Sequence, residues 1–150
     1  MNERINEIEK SMQVTARCHC GQLTISAQID PQKVFVCFCT DCQKMSGTAF
    51  RTVTPALQGT VRVEGQVTHY VKTADSGNLR VQGFCPVCGS QMYSKTNGNE
   101  PAYVLRVGVI EQASALKPSV KLWQRSQWSW VERLSEVPGC EHQEHFGVEQ

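Results

Sequence analysis

The chain has 150 residues, with 15 Lys and Arg against 14 Asp and Glu, a formal net charge of +1 and 40% hydrophobic residues. That length suits one domain with its own core and is short for two, while charges of both signs spread along the chain leave no basic stripe for a nucleic-acid backbone. No apolar run reaches the ~18 residues of a membrane span and residues 1–10 lack the apolar centre of a signal peptide, so a soluble, cytoplasmic protein without membrane contact is expected.

Residues 1–11 have helix-compatible composition, with Ile5 and Ile8 three apart, but too little apolar surface to hold a helix alone; they read as an N-terminal arm. The domain proper is expected over residues 12–137. Val14 and Ala16 precede Cys18, and Leu23, Ile25, Ala27 and Ile29 alternate with polar residues up to Asp30-Pro31. This predicts a hairpin whose turn carries Cys18, Cys20 and Gly21. Val34 and Val36 predict a short strand, residues 40–47 a turn or single helical turn ending at Gly47, and Phe50, Thr52 and Val53 the start of another strand. Further strands are predicted over 60–64, 68–72, 79–84, 91–94 and 103–109, with a polar loop at 96–99. Residues 126–130 are rich in tryptophan, and the polar segment 138–150 reads as a mobile tail. Short strands punctuated by turns, with little helical periodicity, predict an all-β fold of one or two curled sheets.

Seven of the eight cysteines fall in three clusters: Cys18-His19-Cys20, then Cys37-Phe38-Cys39-Thr40-Asp41-Cys42, then Cys85-Pro86-Val87-Cys88. Thiolates two or three positions apart can converge on one ion from a tight turn, at about 2.3 Å from each sulfur to zinc. A disulfide scaffold would suit a shorter, exported chain, and a thioredoxin-like pair would need βαβ surroundings that the pattern lacks. Metal ligation is therefore the preferred reading. Seven is an odd count for a four-ligand ion: if one zinc closes its shell with four thiolates, the other three can hold a second zinc with a vacant position. Spacing alone does not fix the partition, and an ordinary zinc ribbon of Cys39, Cys42, Cys85 and Cys88 is an alternative.

Taken together with the residues that follow them, Ser46-Gly47-Thr48-Ala49-Phe50 after the central cluster and Gly89-Ser90 after the last, these motifs place a resemblance. Over residues 14–130 the chain resembles the glutathione-dependent formaldehyde-activating enzyme family, whose domain is shared with centromere protein V. The resemblance implies a β-tent fold of coiled antiparallel sheets with zinc-pinned hairpins. It also implies two zinc ions per chain: a structural one on Cys18, Cys20, Cys85 and Cys88, and a catalytic one on Cys37, Cys39 and Cys42. The implied activity is that of a carbon–sulfur lyase joining formaldehyde to glutathione, giving S-(hydroxymethyl)glutathione, with glutathione or another small thiol as partner. Where many members carry His between the first two central cysteines and Arg after the third, this chain has Phe38 and Gln43. Neither change removes a ligand, though both alter the surroundings of the site.

Three thiolates on a divalent ion leave one net negative charge, which favours capture of a substrate thiol over activation of water and calls for nearby cations. Lys44 and Arg51 are candidates by proximity in sequence. The competing reading is a zinc-stabilised module without catalysis, carrying a thiol or docking a protein. His19 reads as a surface residue, His69 as structural, and Cys140, His142 and His145 as part of the tail. At least two of Trp123, Trp128 and Trp130 are expected in core or rim packing. Strand edges permit a homodimer.

Overall fold

The computed structural model describes residues 8–142. Within them the chain forms ten strands and one complete α-helix, with residues 8–9 helical as well, in an all-β arrangement of two sheets. The smaller sheet has the order β1 (Met12–Arg17), β2 (Thr24–Ile29) and β5 (Arg62–Glu64), all antiparallel. The larger has seven strands in the order β10 (Val120–Leu122), β3 (Phe35–Cys37), β4 (Arg51–Pro55), β9 (Tyr103–Arg106), β8 (Gln91–Thr96), β7 (Leu79–Phe84) and β6 (Thr68–Thr73). Helix α1 (Thr40–Ser46) links β3 to β4. Among the described residues no helix is long and apolar enough to cross a membrane.

The first hairpin shows how pattern becomes packing. Register pairs Val14 with Ala27 and Ala16 with Ile25, so the alternate apolar residues of β1 and β2 share one face. That face is fully buried, and it joins Met92, Tyr93 and Leu105 of the larger sheet in one core cluster. Cys18 and Cys85 lie in the same cluster, so the turns that carry them grow directly out of the core. Gly83 in β7 lies flat under the ring of Tyr93, where a Cβ would fall 2.4 Å from Cζ, and the register shifts between Gly83 and Phe84 just before the third cysteine cluster. Only glycine fits beneath that ring.

Four local expectations change. The segment 40–47 is a seven-residue helix: the Cys39 sulfur accepts from the Cys42 backbone N–H, and Gly47 closes it at φ 70°. The strand expected over 103–109 ends at Arg106, because residues 107–109 form a 3-10 turn that carries Ile110 across to a bridge with Ala16 in the other sheet. β10 is an extra strand, pairing parallel with β3 from Val120 opposite Phe35 to Leu122 opposite Cys37. The three tryptophans are all exposed, from 45% to 52%, because residues 123–136 run as 3-10 turns over the surface. The expected arm is described only from residue 8 and the tail only to residue 142, so Ile5 and His145 lie outside the described residues.

Candidate metal centres and the adjoining cavity

The seven clustered cysteines gather into two groups, in each of which the sulfurs lie within 4.8 Å of one another: Cys18, Cys20, Cys85 and Cys88 in one, Cys37, Cys39 and Cys42 in the other. The alternative ribbon is split, since Cys39 and Cys42 belong to one group and Cys85 and Cys88 to the other. All eight cysteines are free thiols.

The four-cysteine group joins two turns. In the first, Gly21 N–H donates to Cys18 O at φ 81°, and Leu23 N–H donates to the Cys18 sulfur at 3.2 Å. In the second, Gly89 N–H donates to Cys85 O, again with positive φ, which turns Cys88 back toward Cys85. Ser90 ties the turns together: its hydroxyl accepts from His19 N–H at 3.0 Å and lies 3.3 Å from the Cys88 sulfur. That contact holds the Cys88 thiol down to about 5. The Cys18 and Cys20 sulfurs are 3.5 Å apart, and Cys20 and Cys85 are 3.7 Å apart. Cys18 and Cys85 are buried and Cys20 is exposed. His19 belongs to neither group and is exposed.

The three-cysteine group comes from a strand end and a helix start. Cys37 closes β3, Cys39 caps α1 and Cys42 sits in its first turn. Cys37 loses its proton before Cys42: a hydrogen bond from the Cys42 thiol brings Cys37 down to about 6, and the same contact pushes Cys42 up. Antiparallel register puts Arg51 opposite Cys37 and Arg106 opposite Val53, so two cations on neighbouring strands lie beside the cysteines. Both arginines are 7% exposed. Arg51 Nη2 donates to Gln91 Oε1 at 2.9 Å, and Gln91 Nε2 donates to Met45 O on the helix. Arg106 Nη2 donates to Gln82 Oε1 at 2.6 Å, while its buried Nε has no partner. Burial, with Arg51 adding to it, brings Arg106 down to about 9 against the opposing pull of the cysteines.

Cys39, Cys42, Arg51, Gln82 and Arg106 line a cavity of about 520 Å³, together with Trp123 and Arg125. A larger one of about 570 Å³ lies against residues 57–61 and 99–101 and contains no cysteine or cation. The chemistry therefore favours the smaller. Its outer wall is the segment after β10, where Trp123 takes a left-handed conformation at φ 58°, the one positive φ outside glycine among the described residues, and Arg125 lies 4.8 Å over its ring. A Lys72–Asp41 ion pair ties β6 to the helix at the cavity.

Of the two candidate cations, Arg51 is at the site, and Lys44 is exposed and outside the cavity lining. Arg106 was not anticipated; a charge in the apolar run Tyr103-Val104-Leu105-Arg106-Val107 was the available signal. The two atypical residues separate in role. Phe38 is buried against Phe50, rings 5.6 Å apart and edge-on, and does not line the cavity. Gln43 Nε2 donates to Ala49 O at 3.2 Å and Ser126 O at 2.9 Å, and so pins the cavity wall to the helix. His69 Nε2 lies 2.8 Å from the Tyr93 hydroxyl, a structural contact away from both groups. Cys140 is exposed and is not part of either group.

The donor sets fit thiophilic divalent ions, zinc first: four thiolates complete a tetrahedral shell, and three leave one position. Residues 13–126 match the family described as glutathione-dependent formaldehyde-activating enzyme. Among curated proteins, none matches. Among solved structures, the crystal structure of a Rhodobacter sphaeroides protein, a structural genomics target, is similar at 20% identity and a TM-score of 0.55, over 71% of this chain and 98% of that one. That likeness concerns the fold. The match over residues 13–126, with the cysteine groups at the positions described, shows that the chain belongs to the glutathione-dependent formaldehyde-activating enzyme family.

Proposed function

We propose that the protein is a zinc-dependent enzyme of carbon–sulfur bond chemistry, acting on the adduct of a small thiol such as glutathione with formaldehyde or a related carbonyl compound. The reading is carried by one observation: Cys39 and Cys42 of the three-cysteine group border an open cavity with two buried arginines, while the other four clustered thiols form a separate group joining two core turns. In this reading Cys18, Cys20, Cys85 and Cys88 hold a structural zinc, and Cys37, Cys39 and Cys42 hold a catalytic one. Zinc at the second site would keep a substrate thiol as thiolate at neutral pH.

The chain's own groups supply the rest. Cys37, already lowered to about 6, gives the group one thiolate near neutral pH. Arg51 and Arg106 offset the negative charge that accumulates when a further thiolate joins three others. Gln91 and Gln82 orient the two guanidiniums through neutral hydrogen bonds. In the synthetic direction a bond forms between substrate sulfur and carbonyl carbon, the C=O π bond opens to the oxygen, and the thiol proton ends on that oxygen. The reverse direction releases thiol and carbonyl compound.

Metal content and turnover of two variants test the assignment. Cys39→Ser should lose one zinc and all turnover while keeping a cooperative unfolding transition; Cys20→Ser should lose the other zinc together with stability. A non-catalytic module predicts no turnover in the native protein and loss of stability in both variants. Native protein that retains no more than one zinc per chain, prepared without chelator, would refute the two-zinc reading.

A further inference from the structure

Four strands end the two sheets, and three of them offer little to a partner. β1 is sewn to the segment after β9 by the Ala16–Ile110 bridge, by Glu111 N–H donating to Thr15 O, and by Thr15 N–H donating to Gln112 Oε1. β5 and β10 have three residues each. β6 runs for six, Thr68–Thr73, and among the described residues its backbone pairs with β7 alone. Its side chains are uncovered on both faces of the sheet: Tyr70 is 55% exposed and its neighbour Val71 51%.

The hairpin between β6 and β7 fixes which backbone groups of that edge are free. Ala74 N–H donates to Asn78 O, so these two form a hydrogen-bonded pair. Alternation along the ladder then directs the N–H and C=O of Thr68, Tyr70 and Lys72 toward β7, and those of His69, Val71 and Thr73 outward. Edges of this length are commonly guarded by an exposed lysine. Lys72 is the only Lys, Arg, Asp or Glu of the strand, and it is turned aside: it pairs with Asp41 on the helix, and its side chain is 20% exposed. With that charge already matched, two copies of the edge meet without repulsion.

We propose that β6 is the surface through which two copies of this chain associate, edge to edge and antiparallel, across a two-fold axis at Val71. Only outward-facing residues exchange ladder bonds, so His69 pairs with Thr73 of the partner subunit and Val71 with its own counterpart. An axis at Lys72 would set two lysines opposite each other, and one at Tyr70 would set Val71 against His69. The Val71 axis instead matches apolar with apolar, beside Leu79, which lies opposite Thr73 on the same face and is itself 42% exposed. It also places Tyr70 of the partner subunit across from Lys72, Cα atoms about 4.5 Å apart, where ring and ammonium attract. Lys72, Arg80 and Gln82 of that face line the three-cysteine cavity, so each copy adds an aromatic ring to the rim of the other's site. Six residue pairs bury less than the roughly 1,200 Å² of a standard interface, so the dimer is weak, with a Kd of about 10–100 µM. The pairing does not depend on which reaction the cysteines support.

Sedimentation and residue-resolved hydrogen exchange of the zinc-loaded protein test the surface. Between about 20 µM and 1 mM, protection of the His69, Val71 and Thr73 amides should rise about 4–6-fold by mass action, while Tyr70 and Lys72, already bonded to β7, stay unchanged. Val71→Pro removes an outward N–H and leaves the ladder with β7 intact, so it should melt cooperatively and weaken the dimer about 10-fold or more. If it does not melt cooperatively, Val71→Lys, which sets two like charges across the axis, replaces it. Tyr70→Glu places a carboxylate opposite Lys72 in this register and opposite itself about a Tyr70 axis; dimer affinity kept or raised supports the Val71 axis, and a weakened dimer overturns it. A chain that stays monomeric up to about 1 mM overturns the proposal, whatever other protein binds the edge. So does a dimer that Val71→Pro leaves unchanged or that forms without protecting the three outward amides.

Discussion

Gln43→Ala is the sharpest test of how the site is held. The native amide is 9% exposed and donates from one nitrogen to two backbone oxygens, Ala49 O at 3.2 Å and Ser126 O at 2.9 Å. Each neutral hydrogen bond contributes about 1 kcal/mol net, and a buried carbonyl left without a partner costs about 1–3 kcal/mol. The Ala49 oxygen lies inside the core side of the helix, while water can reach Ser126, so the full penalty applies once. One such penalty and one lost bond sum to roughly 2–4 kcal/mol, equivalent to a fall in Tm of about 4–16 °C for a chain of this size. Urea unfolding followed by circular dichroism measures it. The variant also frees residues 123–126 from the helix, so the fluorescence anisotropy of the tryptophans should drop and thiol affinity should weaken. A loss below about 0.5 kcal/mol with unchanged anisotropy would refute the claim that Gln43 fastens the wall.

Gly83→Ala should destabilise by about 2–3 kcal/mol, because its new Cβ meets the buried Tyr93 ring, which is held by ring contacts to His69 and Tyr103; thermal melts read the change, and a neutral result would remove the packing argument. The metal-free protein should gain stability as pH rises from 6 to 8. Cys37 and Cys88 titrate near 6 and 5 when folded but near 9 when unfolded, so their stabilisation is fully present above 9 and is lost as pH falls through the folded values; His69, lowered by burial and by Lys95, acts in the same direction. Urea midpoints that stay flat or fall over that window contradict this. Chelating the metal should lower stability far more in native protein than in Cys20→Ser, where the four-thiolate set is already broken.

The alternation of Leu23, Ile25, Ala27 and Ile29 made the first hairpin legible, because a period of two with one buried face leaves a single register. The cysteine spacings likewise announced metal-type turns, since local geometry decides whether sulfurs two or three positions apart converge. What stayed hidden depends on distant pairing. Arg51 borders the site through its register with Cys37, and Arg106 through its place on the next strand, neither of which is encoded nearby in sequence. β10 has three residues and a parallel partner 85 positions away, too little signal for any local pattern. The tryptophans misled because their hydrophobicity suggests burial, whereas the 3-10 turns that carry them have no second layer to pack against.

The parallel pairing of β10 with β3 also sets an order of assembly during synthesis. The three-cysteine group lies within six residues and exists once residue 42 has emerged, whereas the four-cysteine group waits for Cys88 and the wall for Ser126. At translation rates of about 5–20 residues per second, those stages are separated by several seconds. The open thiol group is thus exposed to metal, oxidant and competing thiols before its wall exists, and the shelter that defines its chemistry is the last part of the described site to be made.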